Sequence, residues 1–320
     1  MTEKFKDNFS PINSLNLYGL KNYLLDFIKL FEISKFPKVL LLTGEKGVGK
    51  FTLCFHFINC LLSKNSNNKY NEKDQIIDKD NQVYKQILAN TCENFIYIEN
   101  EDKKKSSIEN IRNIKKKFNN SLLNNFPRFI VFDDVELLNI NSANSLLKLI
   151  EEPSKSNYFI LINNKKQNII ETIKSRSLEF KFFLNKNQKK EILNKLLSHH
   201  DLQKHFSHDF IDLTSPGRLI QYGEIFKNLN VNIDTSFYSA ANIILDQFKK
   251  TKNPIFLDTI TFFLEIKSHS NSHANSLKLI NSINLKNNIM KLLYNYKMFN
   301  LTNNSVLEYI KKNKLETYVK

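Results

Sequence analysis

The residues best suited to chemistry form a glycine-rich loop, Gly44-Glu-Lys-Gly47-Val-Gly49-Lys50. This loop, hereafter the P-loop, matches the pattern G-x-x-x-x-G-K, in which backbone N–H groups cradle phosphate oxygens and the lysine reaches the β- and γ-phosphates. It lies where the pattern requires, after a short apolar run and before a longer apolar stretch. The four glycine and lysine positions are therefore predicted to hold phosphate, although an inherited loop that no longer binds nucleotide would look the same.

The residue after Lys50 departs from this pattern. A Ser or Thr normally follows the lysine and ligates Mg²⁺ through its hydroxyl, but here Phe51 does. Thr52 comes one position late, and on a helix its side chain is turned away by about 100°. Because Mg²⁺ requires oxygen ligands, the P-loop is predicted to be poorly built for hydrolysis. ATP is the candidate cofactor, and Mg²⁺ is expected only together with it.

A second chemical signal is the apolar run Phe129–Phe132, which ends in the acids Asp133 and Asp134. In nucleotide-hydrolysing proteins the first such carboxylate holds Mg²⁺ and the second polarises the attacking water. Asp134 is one methylene shorter than the glutamate usual in active ATPases. An apolar strand ending in two acids is weak evidence alone, and it gains meaning from following the P-loop.

Three later phrases follow in a fixed order. They are Asn144-Ser-Leu-Leu-Lys-Leu-Ile-Glu-Glu-Pro153, Ser175-Arg176-Ser177 and Ser215-Pro-Gly-Arg218. The first two resemble the N-A-L-L-K-x-x-E-E-P phrase and the S-R-C box of the clamp-loader branch of the AAA+ ATPases, and the third resembles the sensor-2 segment of these proteins. The resemblance covers roughly residues 15–225, whereas the C-terminal part shares only its helical character.

Within that branch, the sequence resembles the bacterial delta prime subunits more than the tau/gamma motor subunits. The motor subunits keep a hydroxyl residue after the P-loop lysine and an Asp-Glu pair, where this chain has Phe51 and Asp134. Both groups bind zinc in many species through a cysteine cluster. Here Cys54, Cys60 and Cys92 lack paired C-x-x-C spacing, so we expect reduced thiols, no zinc and no other metal site.

The resemblance also implies roles for single residues. It makes Arg176 an arginine finger offered to the ATP of a neighbouring subunit, and it gives Asn164 (or Asn163) the sensor-1 position and Arg218 the sensor-2 position. Taken singly, these residues have plainer interpretations as a surface ion pair, a turn residue and an exposed helix residue. The candidate nucleotide site, which could be vestigial, comprises Gly44, Gly47, Gly49, Lys50, Thr52, Asp133, Asp134, Asn164 and Arg218.

These phrases require a scaffold of alternating strands and helices. Predicted strands are Val39–Leu42, Phe95–Ile98, Phe129–Phe132, Tyr158–Ile162 and Leu178–Phe182, and predicted helices are Leu20–Phe31, Leu53–Leu62, Ile108–Phe118 and Asn141–Ile150. The alternation predicts an α/β fold with a doubly wound parallel sheet, and the resemblance makes it the AAA+ P-loop domain. Residues 63–81 are polar and are predicted to be a surface loop, partly disordered.

From about residue 186 the strand signals fade and helices follow. These are predicted at Lys189–Leu197, Arg218–Phe226, Phe237–Phe248, Leu257–Ile266 and around Leu285–Phe299. We expect the α/β domain over 1–185, a small helical lid domain over 186–232 and an all-helical collar domain over 233–320. An apolar stripe at Phe237, Ala241, Ile244, Leu245 and Phe248 has two interpretations, a contact with other subunits or closure of the domain's own core.

The composition excludes some classes of protein. The chain of 320 residues is 41% hydrophobic and 25% charged, as globular proteins are. No apolar run approaches the roughly 20 residues that cross a bilayer, and the first ten residues lack a signal peptide's apolar core, so a cytoplasmic location without membrane partners is expected. The net charge of +15 indicates either a nucleic-acid partner or the dispersed lysine excess of an AT-rich genome.

The resemblance therefore implies a delta-prime-like clamp-loader subunit with little or no ATPase or polymerase activity of its own. The resemblance implies a mostly static member of a five-subunit ring that helps load the sliding clamp onto primed DNA. Its partners would be tau/gamma and delta subunits, the clamp and primer-template DNA. Two alternatives remain: an active tau/gamma-like ATPase, which Phe51 opposes, and a stand-alone P-loop kinase-type enzyme, which leaves the later phrases unexplained.

Overall fold

The computed structural model describes residues 11–99, 126–203, 208–269 and 276–312. The chain divides into two compact units, residues 3–192 and residues 193–320. The helix predicted over 108–118 lies outside the described residues.

The first unit is built on a five-stranded parallel sheet. Its strands are β1 (Val39–Thr43), β2 (Phe95–Glu99), β3 (Arg128–Asp133), β4 (Asn157–Asn163) and β5 (Leu178–Lys181), in the spatial order β2–β3–β4–β1–β5. The three central strands are buried along almost their whole length, as strands covered on both faces are. The first four lie where apolar runs predicted them, and β5 lies where alternating apolar residues predicted it.

Alternate residues of the central strands face two different helix layers. On one face, strand residues such as Leu41, Ile130 and Phe159 pack with apolar side chains of α4 (Ile140–Ile150) and with Ile173 of α5 (Glu171–Lys174). On the other face, Phe129 and Tyr158 belong to an aromatic cluster. Its other members are Phe31 of α1 (Lys21–Glu32), Phe57 of α2 (Lys50–Leu62) and Phe36, which precedes β1. This arrangement confirms the doubly wound sheet.

Residues 63–81 differ from the expected partly disordered loop. Tyr70 and Ile77 are buried, and the side chain of Ser63 accepts a hydrogen bond from the Tyr70 N–H at 3.0 Å. Asn81 then caps α3 (Gln82–Leu88), because its side chain accepts the Tyr84 N–H at 2.9 Å. Single apolar residues in a polar stretch carry no periodicity, so neither feature was predicted.

The second unit is helical throughout its described part. It contains α7 (Pro216–Leu229), α8 (Phe237–Thr251), α9 (Ile255–His269), α10 (Ser276–Phe299) and α11 (Asn303–Lys312), while α6 (Lys186–His199) crosses the division between the units. Short 3₁₀ helices occur at Pro11–Asn13, Val135–Leu137 and His208–Asp212. No helix among the described residues is both long and apolar enough to span a bilayer.

The apolar stripe of α8 lies inside the second unit. All five of its residues are buried. The Phe237 ring lies 6.3 Å from that of Phe263 in α9, and the Phe248 ring lies 5.6 Å from that of Tyr296 in α10. The stripe therefore closes the unit's own core, and the alternative that it contacts other subunits is wrong for these side chains.

Candidate functional site

The P-loop joins β1 to α2 and has the backbone that its glycines predict. Gly47 and Gly49 have φ angles of 88° and 95°, in the left-handed region that favours glycine. Gly49 is also the N-cap of α2, so the loop leads directly into a helix N-terminus. This backbone is suited to surrounding a phosphate group.

Lys50 bonds to its own loop. Its Nζ donates to the carbonyl oxygens of Gly44 at 2.8 Å and Glu45 at 2.6 Å. Burial lowers the pKa of Lys50 to about 8, although the negative charges of Asp133 and its neighbours oppose the change. The ammonium group that would reach a phosphate is thus held by loop carbonyls.

Phe51 takes no part in polar chemistry. It is 6% exposed, and its ring packs 4.5 Å from the Tyr97 ring and 6.0 Å from the Phe55 ring. Thr52 is half-buried at the next position of α2. The position that carries a metal-binding hydroxyl in the P-loop pattern is therefore occupied here by a ring packed among other aromatic rings.

Asp133 and Asp134 lie at the end of β3 and are both buried. The Oδ1 atom of Asp133 accepts the Asp134 N–H at 2.8 Å and the Asn164 side-chain amide at 2.9 Å, and its Oδ2 accepts the Tyr97 hydroxyl at 3.4 Å. Burial, followed by the charge of Asp134, raises the pKa of Asp133. Both oxygens of Asp133 thus have donors within the protein.

Asp134 meets two ammonium groups. Its Oδ2 lies 2.9 Å from Nζ of Lys46 and 2.9 Å from Nζ of Lys166, while its Oδ1 accepts the Asn164 amide at 2.6 Å. Burial would raise the pKa of Asp134, but the two lysine charges and the hydrogen bonds outweigh it, so the pKa lies below its ordinary value. Asp134 is therefore held as a carboxylate paired with cations, an arrangement that the sequence did not reveal.

Asn164 follows β4 and connects the two acids through its side-chain amide. Asn163 instead accepts the Lys165 N–H at 2.9 Å within the turn. Of the two asparagines considered for the sensor-1 position, the structure brings Asn164 to the acids.

Glu136 is a site residue that sequence reasoning missed. It is buried, its Oε1 accepts the N–H groups of Asn164 at 3.1 Å and Lys166 at 3.3 Å, and Gln167 donates to its carbonyl oxygen. Burial raises its pKa. Its signal in the sequence was a single acid between two apolar residues, Val135 and Leu137.

Arg176 lies between α5 and β5. Its guanidinium lies 2.9 Å from Glu151 Oε1, at the end of α4, and donates to the Thr172 carbonyl at 3.2 Å. The two side chains of the pair are 38% and 48% exposed. Neither partner of Arg176 belongs to the P-loop or to the pair Asp133 and Asp134.

Arg218 belongs to the second unit. At the start of α7 it pairs with Asp258 of α9 at 3.0 Å and lies over the Tyr222 ring at 5.8 Å. These partners also belong to the second unit, so they support a role for Arg218 in packing α7 against α9.

The site fits a phosphate better than it fits a magnesium ion. The left-handed glycines and the start of α2 can face an anion, but Phe51 offers no oxygen and Asp134 already holds two ammonium groups. A divalent cation beside Asp134 would be repelled by both lysines. Among the described residues, no cluster of His, Cys, Asp and Glu could hold a metal ion.

The strand order, the P-loop and the acids after β3 define a P-loop protein with the AAA+ type of fold. The chain belongs to the family described as DNA polymerase III, delta subunit, whose model matches residues 20–186. This membership confirms the resemblance to clamp-loader subunits.

Two curated relatives come from Buchnera aphidicola subsp. Schizaphis graminum. DNA polymerase III subunit gamma is 28% identical over 265 residues, which cover 81% of this chain and 66% of that protein, just under two thirds of its length. DNA polymerase III subunit delta' is 26% identical over 268 residues, which cover 83% of this chain and 70% of that protein. Similarity alone therefore does not separate the two subunit types.

A crystal structure of a DNA polymerase III gamma subunit-related protein from Thermotoga maritima is also similar. It aligns with a TM-score of 0.48 and 14% identity, covering 92% of this chain and 98% of that chain.

Proposed function

We propose that this chain is a delta-prime-like subunit of a DNA polymerase III clamp loader. In this role it helps load the sliding clamp onto primed DNA in the cytoplasm, with tau/gamma and delta subunits as partners. Its own P-loop hydrolyses little or no ATP, and the net charge of +15 suits an assembly that acts on DNA.

The observation that carries this proposal is the local chemistry around Phe51 and Asp134. A motor subunit needs a metal-binding hydroxyl and a free second acid, whereas this chain has a buried ring and a carboxylate paired with two lysines. Both departures act against hydrolysis and neither disrupts the fold.

Arg176 gives the proposed subunit an active role. Its guanidinium is partly exposed and lies next to the start of a strand, so it is available to a neighbour while its backbone is held. We infer that it stabilises charge on the γ-phosphate of ATP bound to the adjacent subunit.

The second candidate is an active gamma-like ATPase, which the gamma relative favours. Steady-state ATP hydrolysis by the purified chain, alone and with partner subunits, separates the two. We expect negligible turnover by the isolated chain. Turnover of about 1 s⁻¹ or more, the range of ordinary enzymes, would assign it to the motor type.

A further inference from the structure

The ion pairs at Asp134 connect three loops at one edge of the sheet. Lys46 lies in the P-loop after β1, Asp134 follows β3 and Lys166 follows β4. These three strands are neighbours in a parallel sheet, so their carboxyl ends lie side by side. The pairs thus connect the P-loop to both adjacent strand ends without a ligand.

Breaking these pairs would leave a charge without compensation. The Asp134 side chain is 1% exposed, so water cannot replace the ammonium groups if they move away. A buried carboxylate stripped of its cation partners is strongly destabilising. A polyphosphate that attracts Lys46 or Lys166 must therefore compete with Asp134 for them.

We propose that Asp134 locks the P-loop against polyphosphate by holding Lys46 and Lys166 on itself. The lock is an autoinhibitory contact within the chain, and it is independent of the role proposed for the subunit in a ring. Beneath it lies a latent binding site for nucleoside triphosphate or pyrophosphate, in which two lysines supply the positive charge that Mg²⁺ supplies elsewhere. Neutralising Asp134 should make that site accessible, and the binding of polyphosphate there should need no metal ion.

The test is calorimetric titration of the full chain with ATP and with pyrophosphate, in EDTA and in Mg²⁺. Asp134→Asn keeps the shape and an oxygen for Asn164 but removes the charge, so we expect it to bind both anions at least about 10-fold more tightly than wild type, in EDTA as well. Adding Lys46→Gln and Lys166→Gln should abolish the gain. Asp80→Asn is the matched control, because Asp80 pairs with Lys85 at 2.7 Å on the surface, and it should bind like wild type.

A folded Asp134→Asn protein that binds no more tightly than wild type would overturn the lock, as would micromolar binding by wild type itself. If Asp134→Asn does not fold, the two lysines test the idea alone. The loss of either leaves Asp134 one ammonium group and the loss of both leaves it none, so the double variant should lose more thermal stability than the two singles together. Additive losses would contradict the proposal.

Discussion

The Arg176 side chain is anchored by surface contacts, so its removal should affect function rather than folding. A half-exposed ion pair such as Arg176–Glu151 contributes about 0–1 kcal/mol. Arg176→Ala should therefore fold and join a reconstituted clamp loader. An arginine finger contributes on the order of 10³-fold or more at its site, so ATP turnover at one motor site should collapse. If the other motor sites of the proposed ring have fingers of their own, the total ATPase and clamp-loading rates should fall only in part.

Two control variants show whether the effect of Arg176 depends on the position of the charge and on the shape of the guanidinium group. Lys174→Ala removes a neighbouring exposed cation and should leave both rates unchanged. Arg176→Lys keeps the charge but loses the planar fork, so it should not restore the rates. Equal rates for Arg176→Ala and wild type in equally assembled complexes would mean that Arg176 is only a surface residue.

His56 makes the stability of the first unit sensitive to pH. Its Nε2 donates to the Ser14 carbonyl at 2.9 Å, and in the neutral ring its Nδ1 accepts from the Tyr70 hydroxyl at 2.9 Å. Burial lowers the pKa of His56 from 6.5 to about 4. Between these values the unfolded chain binds more protons than the folded one. Through His56, the free energy of unfolding is therefore highest above about pH 6.5 and falls by up to about 3 kcal/mol toward pH 4.

Urea unfolding between pH 4 and pH 7.5 measures this effect. His56→Gln can both donate and accept but does not titrate, so we expect a flatter dependence of unfolding free energy on pH than in wild type. A His56→Gln protein with an unchanged slope would show that other groups cause the pH dependence.

The chemistry at single residues was only partly readable from the sequence. The P-loop glycines and the acids after β3 follow from spacing and apolar context. The pairing of Asp134 with Lys46 and Lys166 does not, because these residues are 88 and 32 positions apart. These side chains come into contact because β4 lies between β3 and β1. Local periodicity in the sequence does not indicate the order of strands in a sheet.

Among the helices, α10 has an exposed apolar face that suits a role in assembly. The stripe of α8 is used within its own unit, whereas Tyr294 and Met298 of α10 are 62% and 57% exposed one helical turn apart. If 233–320 forms the collar, Tyr294→Glu with Met298→Glu should weaken co-purification with the motor subunits while leaving thermal stability nearly unchanged. Pull-down of reconstituted subunits and thermal unfolding measure the two effects.

Asn288→Glu is the control for that double variant. It adds a negative charge to an exposed position of the same helix, about 120° around the axis from Tyr294. It should assemble like wild type. Full-yield assembly of the double variant would place the collar contact elsewhere.

Elements were predicted where periodicity or apolar runs were continuous. The strands and most helices have boundaries close to those expected from their sequences. The helices α3, α5 and α11 were not predicted, and α3 and α5 have too few residues to show a period. The division into 1–185, 186–232 and 233–320 stays a prediction.

In the whole molecule, the chain's own P-loop and the effect of its Arg176 on a neighbouring subunit can be tested separately. Lys50→Met removes the ammonium group at the end of the P-loop but keeps the apolar stem of the side chain. In a reconstituted clamp loader it should leave total ATP turnover unchanged, because this subunit's own site contributes none. Paired with Arg176→Ala, which should lower turnover, it distinguishes action in trans from action in cis. A large loss with Lys50→Met, in a complex that still assembles, would favour a motor.

The two lysines paired with Asp134 also affect how the melting temperature of the protein depends on ATP concentration. A protein stabilised by a ligand gains RT ln(1 + [L]/Kd), so its melting temperature follows the ligand concentration. Lys46 and Lys166 are covalently part of the chain, and their effective concentration never changes. The subunit should therefore melt at the same temperature whether ATP is abundant or exhausted, so its stability should not follow the energy state of the cell.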